Sequence, residues 1–119
     1  LFYPALCIPD DARNGHMMFY RFDPHKIPAV LGRFPMKVGG AYAEAVMEMD
    51  PFEEIRGYEG PVFLVHGTAD KVVNIDYARK ARTCYPSCDY HEIVDGEHGF
   101  RGEHDKEAIA YLVDFVKKI

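Results

Sequence analysis

The fold is decided by a stretch that reads Pro61-Val62-Phe63-Leu64-Val65-His66-Gly67-Thr68-Ala69-Asp70. Its first six residues are mostly β-branched, aromatic or aliphatic, and a glycine flanks them on each side, so we predict a central strand over 61–66. The glycine and two small residues that follow let the backbone turn sharply. We therefore expect the carboxylate of Asp70 to stand just beyond the end of a buried strand.

A second stretch repeats this arrangement further along the chain. A short apolar strand is predicted over 90–94, and it runs into Asp95-Gly96-Glu97-His98-Gly99-Phe100. Between the two strands, Asn74 can cap a helix over 75–84. Small and aromatic side chains share one face of that helix, namely Tyr77, Ala78 and Ala81.

A last helix is predicted over 105–118, because apolar residues recur there at helical spacing. This stripe should face a sheet; it consists of Ile109, Leu112, Val113 and Val116. Strands that alternate with helices predict an α/β fold with a parallel sheet and right-handed crossovers. The segment 61–119 is thus interpreted as strand, helix, strand, helix.

The chain before position 60 is less regular. Residues 1–8 form a nearly continuous apolar run, which predicts a strand buried on both faces. Residues 9–39 contain prolines at 9, 24, 28 and 35 and no sustained period, so we predict an irregular cap or lid insertion, since connections of that length are usually functional. The alternative is a pair of short strands around 17–21. Good helix formers over 41–49, closed by Asp50-Pro51, predict a helix.

Composition narrows the class of function. With 48% hydrophobic and 28% charged residues in 119, the chain has enough apolar surface for one small folded domain. A net charge of -5 argues against a general binder of nucleic acid or anionic membranes, which needs a basic face. Three cysteines, Cys7, Cys84 and Cys88, lack a second ligand pair at zinc-finger spacing, so we expect packed thiols and no structural zinc.

Asp70 and His98 are the candidate catalytic residues. Ligands of parallel sheets bind beyond the carboxyl ends of the strands, and each of these residues follows such an end. One helix and one strand separate them, so the two loops should lie side by side. A histidine base needs a third group to orient it and to stabilise its cation, and Asp70 can provide this. An acid that precedes the histidine along the chain is the order of α/β-hydrolases.

Other interpretations of these side chains are weaker. Asp70 alone could be a turn residue, and His98 alone a solvated loop histidine. His66 lies at the end of an apolar strand, which favours a structural hydrogen bond. His66, Asp70 and His98 could ligate a metal in principle, but the spacing across a turn disfavours it. Cys7 lacks the glycine elbow that exposes a nucleophile.

No Gly-x-Ser-x-Gly pattern occurs. The only serine, Ser87, comes after Asp70 along the chain and lies in a turn between a helix and a strand. A nucleophile of the expected kind is therefore missing from this sequence. Because the chain also opens inside an apolar run, we interpret it as the C-terminal part of a longer enzyme.

Four motifs resemble those of a known family. They are Gly60-Pro61 through Val73, Gly96-Glu97-His98-Gly99-Phe100, Pro9-Asp10-Asp11 through Gly15, and Gly39-Gly40-Ala41-Tyr42. The chain resembles the C-terminal half of α/β-hydrolases, and more narrowly the bacterial feruloyl (cinnamoyl) esterases. The resemblance implies that Asp70 is the triad acid and His98 the general base, with no cofactor and no metal. It also implies that the cap at 9–39 covers a phenolic acid. The substrate-binding candidates are Asp10, Asp11, Met17, Phe19 and Phe34.

The sequence is thus interpreted as part of a carboxylic-ester hydrolase. The alternatives are a serine peptidase or thioesterase of the same fold, or a non-catalytic binding fragment. The expected partners are a small-molecule ester and the upstream segment that carries the serine, with neither nucleic acid nor membrane. An uncovered sheet edge also predicts self-association of the isolated chain.

Overall fold

The computed structural model describes all 119 residues, and they form two compact units. The first unit combines Leu1–Leu6 with Phe52–Ile119, and the second is Cys7–Pro51. None of the helices combines the length and apolarity needed to cross a bilayer.

The centre of the first unit is a pair of parallel strands, β5 (Val62–Gly67) and β6 (Cys88–Ile93). Their register runs from Val62 opposite Cys88 to Gly67 opposite Ile93. Every residue of β5 is buried, as its apolar composition predicts for a strand covered on both faces. Both strands were predicted from the sequence, and the parallel pairing confirms the predicted α/β class.

The chain start adds one more short pairing beside β5. Phe2 forms a parallel bridge with Val65, and the backbone N–H of Tyr3 donates to Val65 at 2.8 Å. The predicted strand over 1–8 is wrong beyond these first residues, because Pro4 has no N–H to donate to a ladder. The chain instead enters helix α1 (Ile8–Arg13), where Pro9 sits in the first turn that proline favours.

Helices cover both faces of the strand pair. They are α3 (Pro51–Ile55), which was not predicted, α4 (Ile75–Arg82) and α5 (Glu103–Lys118). One core contains Phe52, Leu64, Ala78, Ala81 and Cys84; the other contains Phe63, Val65, Ile93, Phe100 and Ala108. Successive residues of β5 thus point into different cores, as the two-residue period of a strand requires. The predicted cap of α4 is confirmed, since the Asn74 side chain accepts the N–H of Asp76 at 2.8 Å.

The predicted buried stripe of α5 is wrong in phase. Ile109, Val113 and Val116 are 45%, 43% and 57% exposed, although Leu112 does pack against the core. The face that packs consists of Ala108, Tyr111, Leu112 and Phe115. The predicted helical period is confirmed. The rings of Tyr111 and Phe115 bury more area than valine side chains would, so the packed face is shifted by one residue along the helix.

The second unit contains two small hairpins between two helices. The first hairpin pairs β1 (His16–Met17) with β2 (Tyr20–Arg21), and the second pairs β3 (Val30–Arg33) with β4 (Met36–Gly39). Helix α2 (Gly40–Met47) follows directly, close to its predicted bounds. Its core contains Ala12, Met17, Leu31, Ala43 and Val46.

The prediction that the backbone over 9–39 is irregular is therefore wrong, and the alternative of short strands around 17–21 is confirmed. The role of this segment as a cap stays a prediction. Strands of two to four residues are too short to show an alternating pattern. The compact unit Cys7–Pro51 contains the predicted insertion together with α2.

The loops that follow β5 and β6 are held in close contact. A methyl group on Gly67 would overlap the backbone of Gly96, so only glycine fits at the end of β5. The N–H of Ala69 donates to Gly96 at 2.9 Å, and the hydroxyl of Thr68 accepts the N–H of Asp95 at 2.8 Å. This contact fixes the loop that bears Asp70 against the loop that bears His98.

We predict that Gly67→Ala lowers the free energy of unfolding by about 1–3 kcal/mol, because the added methyl group forces the two loops apart. Urea denaturation of both proteins measures the difference. The matched control is Gly57→Ala, where an added methyl group meets no atom within 4 Å, and a change within about 0.5 kcal/mol is expected. Equal stability of the two variants would contradict the close approach.

Candidate active site

The carboxylate of Asp70 and the imidazole of His98 are joined by a hydrogen bond. Asp70 Oδ2 lies 2.9 Å from His98 Nδ1. The Asp70 side chain has no exposed surface, whereas that of His98 is 32% exposed. The structure therefore brings together the two residues predicted from separate loops, and it leaves part of the imidazole open to a reactant.

The second oxygen of Asp70 is held by the backbone of its own loop. Oδ1 accepts the N–H of Val72 at 2.9 Å and that of Val73 at 2.8 Å. Burial by itself would raise the pKa of Asp70. The Val73 N–H, the His98 hydrogen bond and the Val72 N–H outweigh burial, and the pKa lies below its ordinary value. Asp70 is thus an ionised acceptor at neutral pH.

This geometry determines which nitrogen of His98 carries the proton. An ionised carboxylate can only accept, so Nδ1 must donate to Asp70. Nε2 of the neutral ring then has a free lone pair, which can take a proton from a hydroxyl. Asp70 and His98 therefore have the arrangement of an acid-oriented general base.

Aromatic rings form the wall around His98. The ring of Tyr3 lies 4.8 Å from the imidazole at an interplanar angle of 57°, and Phe100 meets Tyr3 edge-on at 5.1 Å. Sequence reasoning missed Tyr3, because its approach depends on the pairing of the chain start with β5. Its positive φ of 35° is unusual for a residue with a side chain, and such conformations cluster at functional sites. No sequence pattern signals it.

His66 lies behind the carboxylate, fully buried. Its Nε2 is 3.0 Å from the carbonyl oxygen of Val73 and 3.1 Å from Asp70 Oδ2. The predicted structural hydrogen bond is therefore present. His66, Asp70 and His98 do meet, but no group of three His, Cys, Asp or Glu side chains is arranged to hold a metal ion.

The alternative nucleophiles lie away from His98 or are buried. Ser87 directly precedes β6, and its carbonyl accepts the N–H of Val62 at the opposite end of the strand pair. Six residues of strand separate it from the His98 loop, which is about 20 Å. Cys7 is 6% exposed at the start of α1, in the second unit.

The five substrate-binding candidates all lie in the second unit. Asp10 is paired with Arg13 at 2.6 Å, and Asp11 approaches His16 at 3.3 Å. Met17 is buried in the core. Phe19 and Phe34 stand in the turns of the two hairpins and are 90% and 87% exposed.

A cavity of about 500 Å³ opens beside these hairpins. Met17 and Phe19 line it, whereas Asp10, Asp11 and Phe34 do not. Its wall also includes Tyr20, Met36 and the cationic side chains of Arg33 and Lys37, which sequence reasoning missed. A volume of this size suits a small-molecule ligand. The cations were hidden because only the hairpin pairing places them beside the apolar residues.

We predict that Asp70→Asn destabilises the fold, and that the difference from the natural protein shrinks as the pH falls. Because the pKa of Asp70 is lower in the folded state than in the unfolded state, its ionised form adds stability. That contribution is complete above the unfolded pKa of about 3.9 and is lost as the pH falls through the lower folded pKa. Urea unfolding of both proteins across this range measures it.

The exposed Asp114→Asn variant is the control, and its stability should track the natural protein at every pH. A deficit of Asp70→Asn that stayed constant or grew in acid would contradict the ionised, hydrogen-bonded carboxylate.

Comparison with known proteins supports the fold. No family model and no curated protein matches the chain. Among solved structures, Est1E from Butyrivibrio proteoclasticus with bound ferulic acid is similar at a TM-score of 0.84, with 25% identity, covering 98% of this chain and 47% of that one. A second structure of Est1E has a TM-score of 0.83, with 24% identity and coverage of 98% and 49%.

An esterase domain from a Rhodothermus marinus protein has a TM-score of 0.63, with 19% identity and coverage of 97% and 48%. The chain thus spans about half the length of each of these three structures. The resemblance predicted from the sequence is confirmed: the chain has the fold of the C-terminal part of esterase α/β-hydrolase structures, Est1E among them.

Proposed function

We propose that this chain supplies the acid and the base of a carboxylic-ester hydrolase that uses a serine nucleophile. The observation that carries the proposal is the 2.9 Å hydrogen bond between the buried Asp70 carboxylate and the partly exposed imidazole of His98. The similarity to esterase structures supports the class of reaction. We place the whole enzyme among feruloyl esterase-like serine hydrolases.

In the proposed reaction, Nε2 of His98 takes the proton of the serine hydroxyl as its oxygen attacks the ester carbonyl. The imidazolium that forms is stabilised by Asp70, which stays ionised. His98 then gives the proton to the departing alcohol, and an acyl-enzyme remains. Water, deprotonated by the same nitrogen, attacks the acyl group, and His98 returns that proton to the serine oxygen as the carboxylic acid is released.

We propose that the serine and the donors for the oxyanion come from an upstream segment of the same protein. The serine of this chain lies at the wrong end of β6 for His98, as described above. That upstream segment would be the principal partner of the chain.

In the absence of the upstream segment we expect turnover to be lost. We also expect the uncovered sheet edge to promote self-association of the chain, which sedimentation measures.

We propose that the second unit, which contains the predicted cap at 9–39, selects the substrate. Its cavity has an apolar wall with Met17, Phe19 and Tyr20, and Arg33 and Lys37 add positive charge. These groups suit an aromatic acyl group with polar substituents. Est1E binds ferulic acid, a ligand of this kind. Asp10, Asp11 and Phe34 lie outside this cavity, so among the substrate-binding candidates the proposal rests on Met17 and Phe19.

The experiment is an assay of the protein that carries this chain together with its upstream segment. We expect hydrolysis of methyl ferulate, slower hydrolysis of short acyl esters, and labelling of one serine by a fluorophosphonate. Hydrolysis that is fastest on peptidyl substrates, or absent from all esters, would contradict the proposal.

In that protein we predict that Asp70→Asn lowers kcat by about 10⁴-fold. The amide of asparagine can keep the contacts of Oδ1, but its NH₂ group faces Nδ1 of His98. The ring must then carry its proton on Nε2, where it can no longer accept one from serine. His98→Ala should lose a similar factor.

The exposed His25→Ala variant is the matched control and should keep full activity. Steady-state kinetics on methyl ferulate measure all three variants. A loss of less than tenfold in Asp70→Asn would remove Asp70 from the mechanism.

A further inference from the structure

His66 is a polar residue in a strand that is otherwise apolar. It is the fifth residue of β5 and has no exposed surface. Its Nδ1 is buried and has no hydrogen-bond partner. A strand covered on both faces normally contains apolar residues, so this histidine needs a specific reason.

The surroundings of Nε2 identify its protonation. This nitrogen is 3.0 Å from the carbonyl oxygen of Val73 and 3.1 Å from Oδ2 of Asp70, and both neighbours are acceptors. A bare Nε2 would place three acceptors against one another. Nε2 therefore carries the proton and donates it to Val73, with the carboxylate beside it, and the unpartnered Nδ1 is a bare lone pair.

A chain of contacts links His66 to the base. Nε2 holds the carbonyl of Val73, and the N–H of the same residue donates to Oδ1 of Asp70 at 2.8 Å. Oδ2 of Asp70 lies between Nε2 of His66 and Nδ1 of His98. Val73 is itself buried, at 1% exposure. The Nε2–H of His66 thus holds Val73, and Val73 in turn holds the carboxylate of Asp70.

We propose that His66 is a positioning residue, which fixes Asp70 so that Oδ2 points at His98; this role rests on the proposed function. Stability alone does not account for it, because leaving Nδ1 unsatisfied opposes folding. An apolar side chain of similar shape would avoid that penalty but would lose the donor. What His66 adds that an apolar side chain would lack is the Nε2 donor that faces Val73 and Asp70.

The first test needs no variant and no substrate. Long-range ¹H–¹⁵N NMR of this chain, at a pH where its histidines are neutral, reports which ring nitrogen carries the proton. We expect the Nε2–H form for His66 and the Nδ1–H form for His98. A proton on Nδ1 of His66 would overturn the proposal.

The second test compares His66→Gln with His66→Asn. The longer amide places an N–H near the position of Nε2, whereas the shorter one reaches only the position of Nδ1. We expect the hydrogen-bonded Nδ1 proton signal of His98 to persist in His66→Gln and to be lost or shifted in His66→Asn. The matched control is His91→Gln in the neighbouring strand β6, which should leave that signal unchanged.

In the protein with its upstream segment, His66→Asn should lower kcat by about 10²-fold with little change in KM, and His66→Gln should restore most of it. An unchanged His98 signal in His66→Asn would overturn the positioning role. Changed signals together with no ester hydrolysis by the natural protein would contradict the proposed function and leave the positioning of Asp70 supported.

Discussion

The parallel pairing of β5 with β6 is the constraint on which the rest of the site depends. Because both strands end at the same edge, the loops that follow them meet there, and the closeness of Gly67 to Gly96 sets how near they come. A side chain at position 67 would meet the backbone of Gly96 and separate the carboxylate from an imidazole that belongs to a different loop. The chemistry of Asp70 and His98 is therefore a consequence of backbone packing one turn away from them.

Burying an ionised carboxylate is costly unless its oxygens are paired, and here the pairing is nearly complete. Two backbone N–H groups hold Oδ1, and two imidazoles flank Oδ2. The same contacts that make burial tolerable also determine the direction of the carboxylate. Stability and function are thus met by one set of hydrogen bonds, with an exposed flank of His98 as the side left for a reactant.

Sequence reasoning succeeded where the pattern is local and strong. The strand 61–66, the cap at Asn74 and the glycine turns around Asp70 and His98 were predicted from a few neighbouring residues each. It failed where distant packing decided the outcome. The phase of α5 depends on Tyr111 and Phe115 meeting the sheet, and the hairpins at 16–21 and 30–39 depend on pairings too short to leave a period.

The sequence by itself determined the α/β class, the order acid before histidine, and the identity of both catalytic candidates, because strand propensity and turn chemistry are properties of adjacent residues. Only the tertiary structure decided that Tyr3 faces the imidazole, that His66 stands behind the carboxylate, and that Arg33 and Lys37 line a cavity. Those contacts join residues far apart in the chain, and their distances follow from packing that no local pattern encodes.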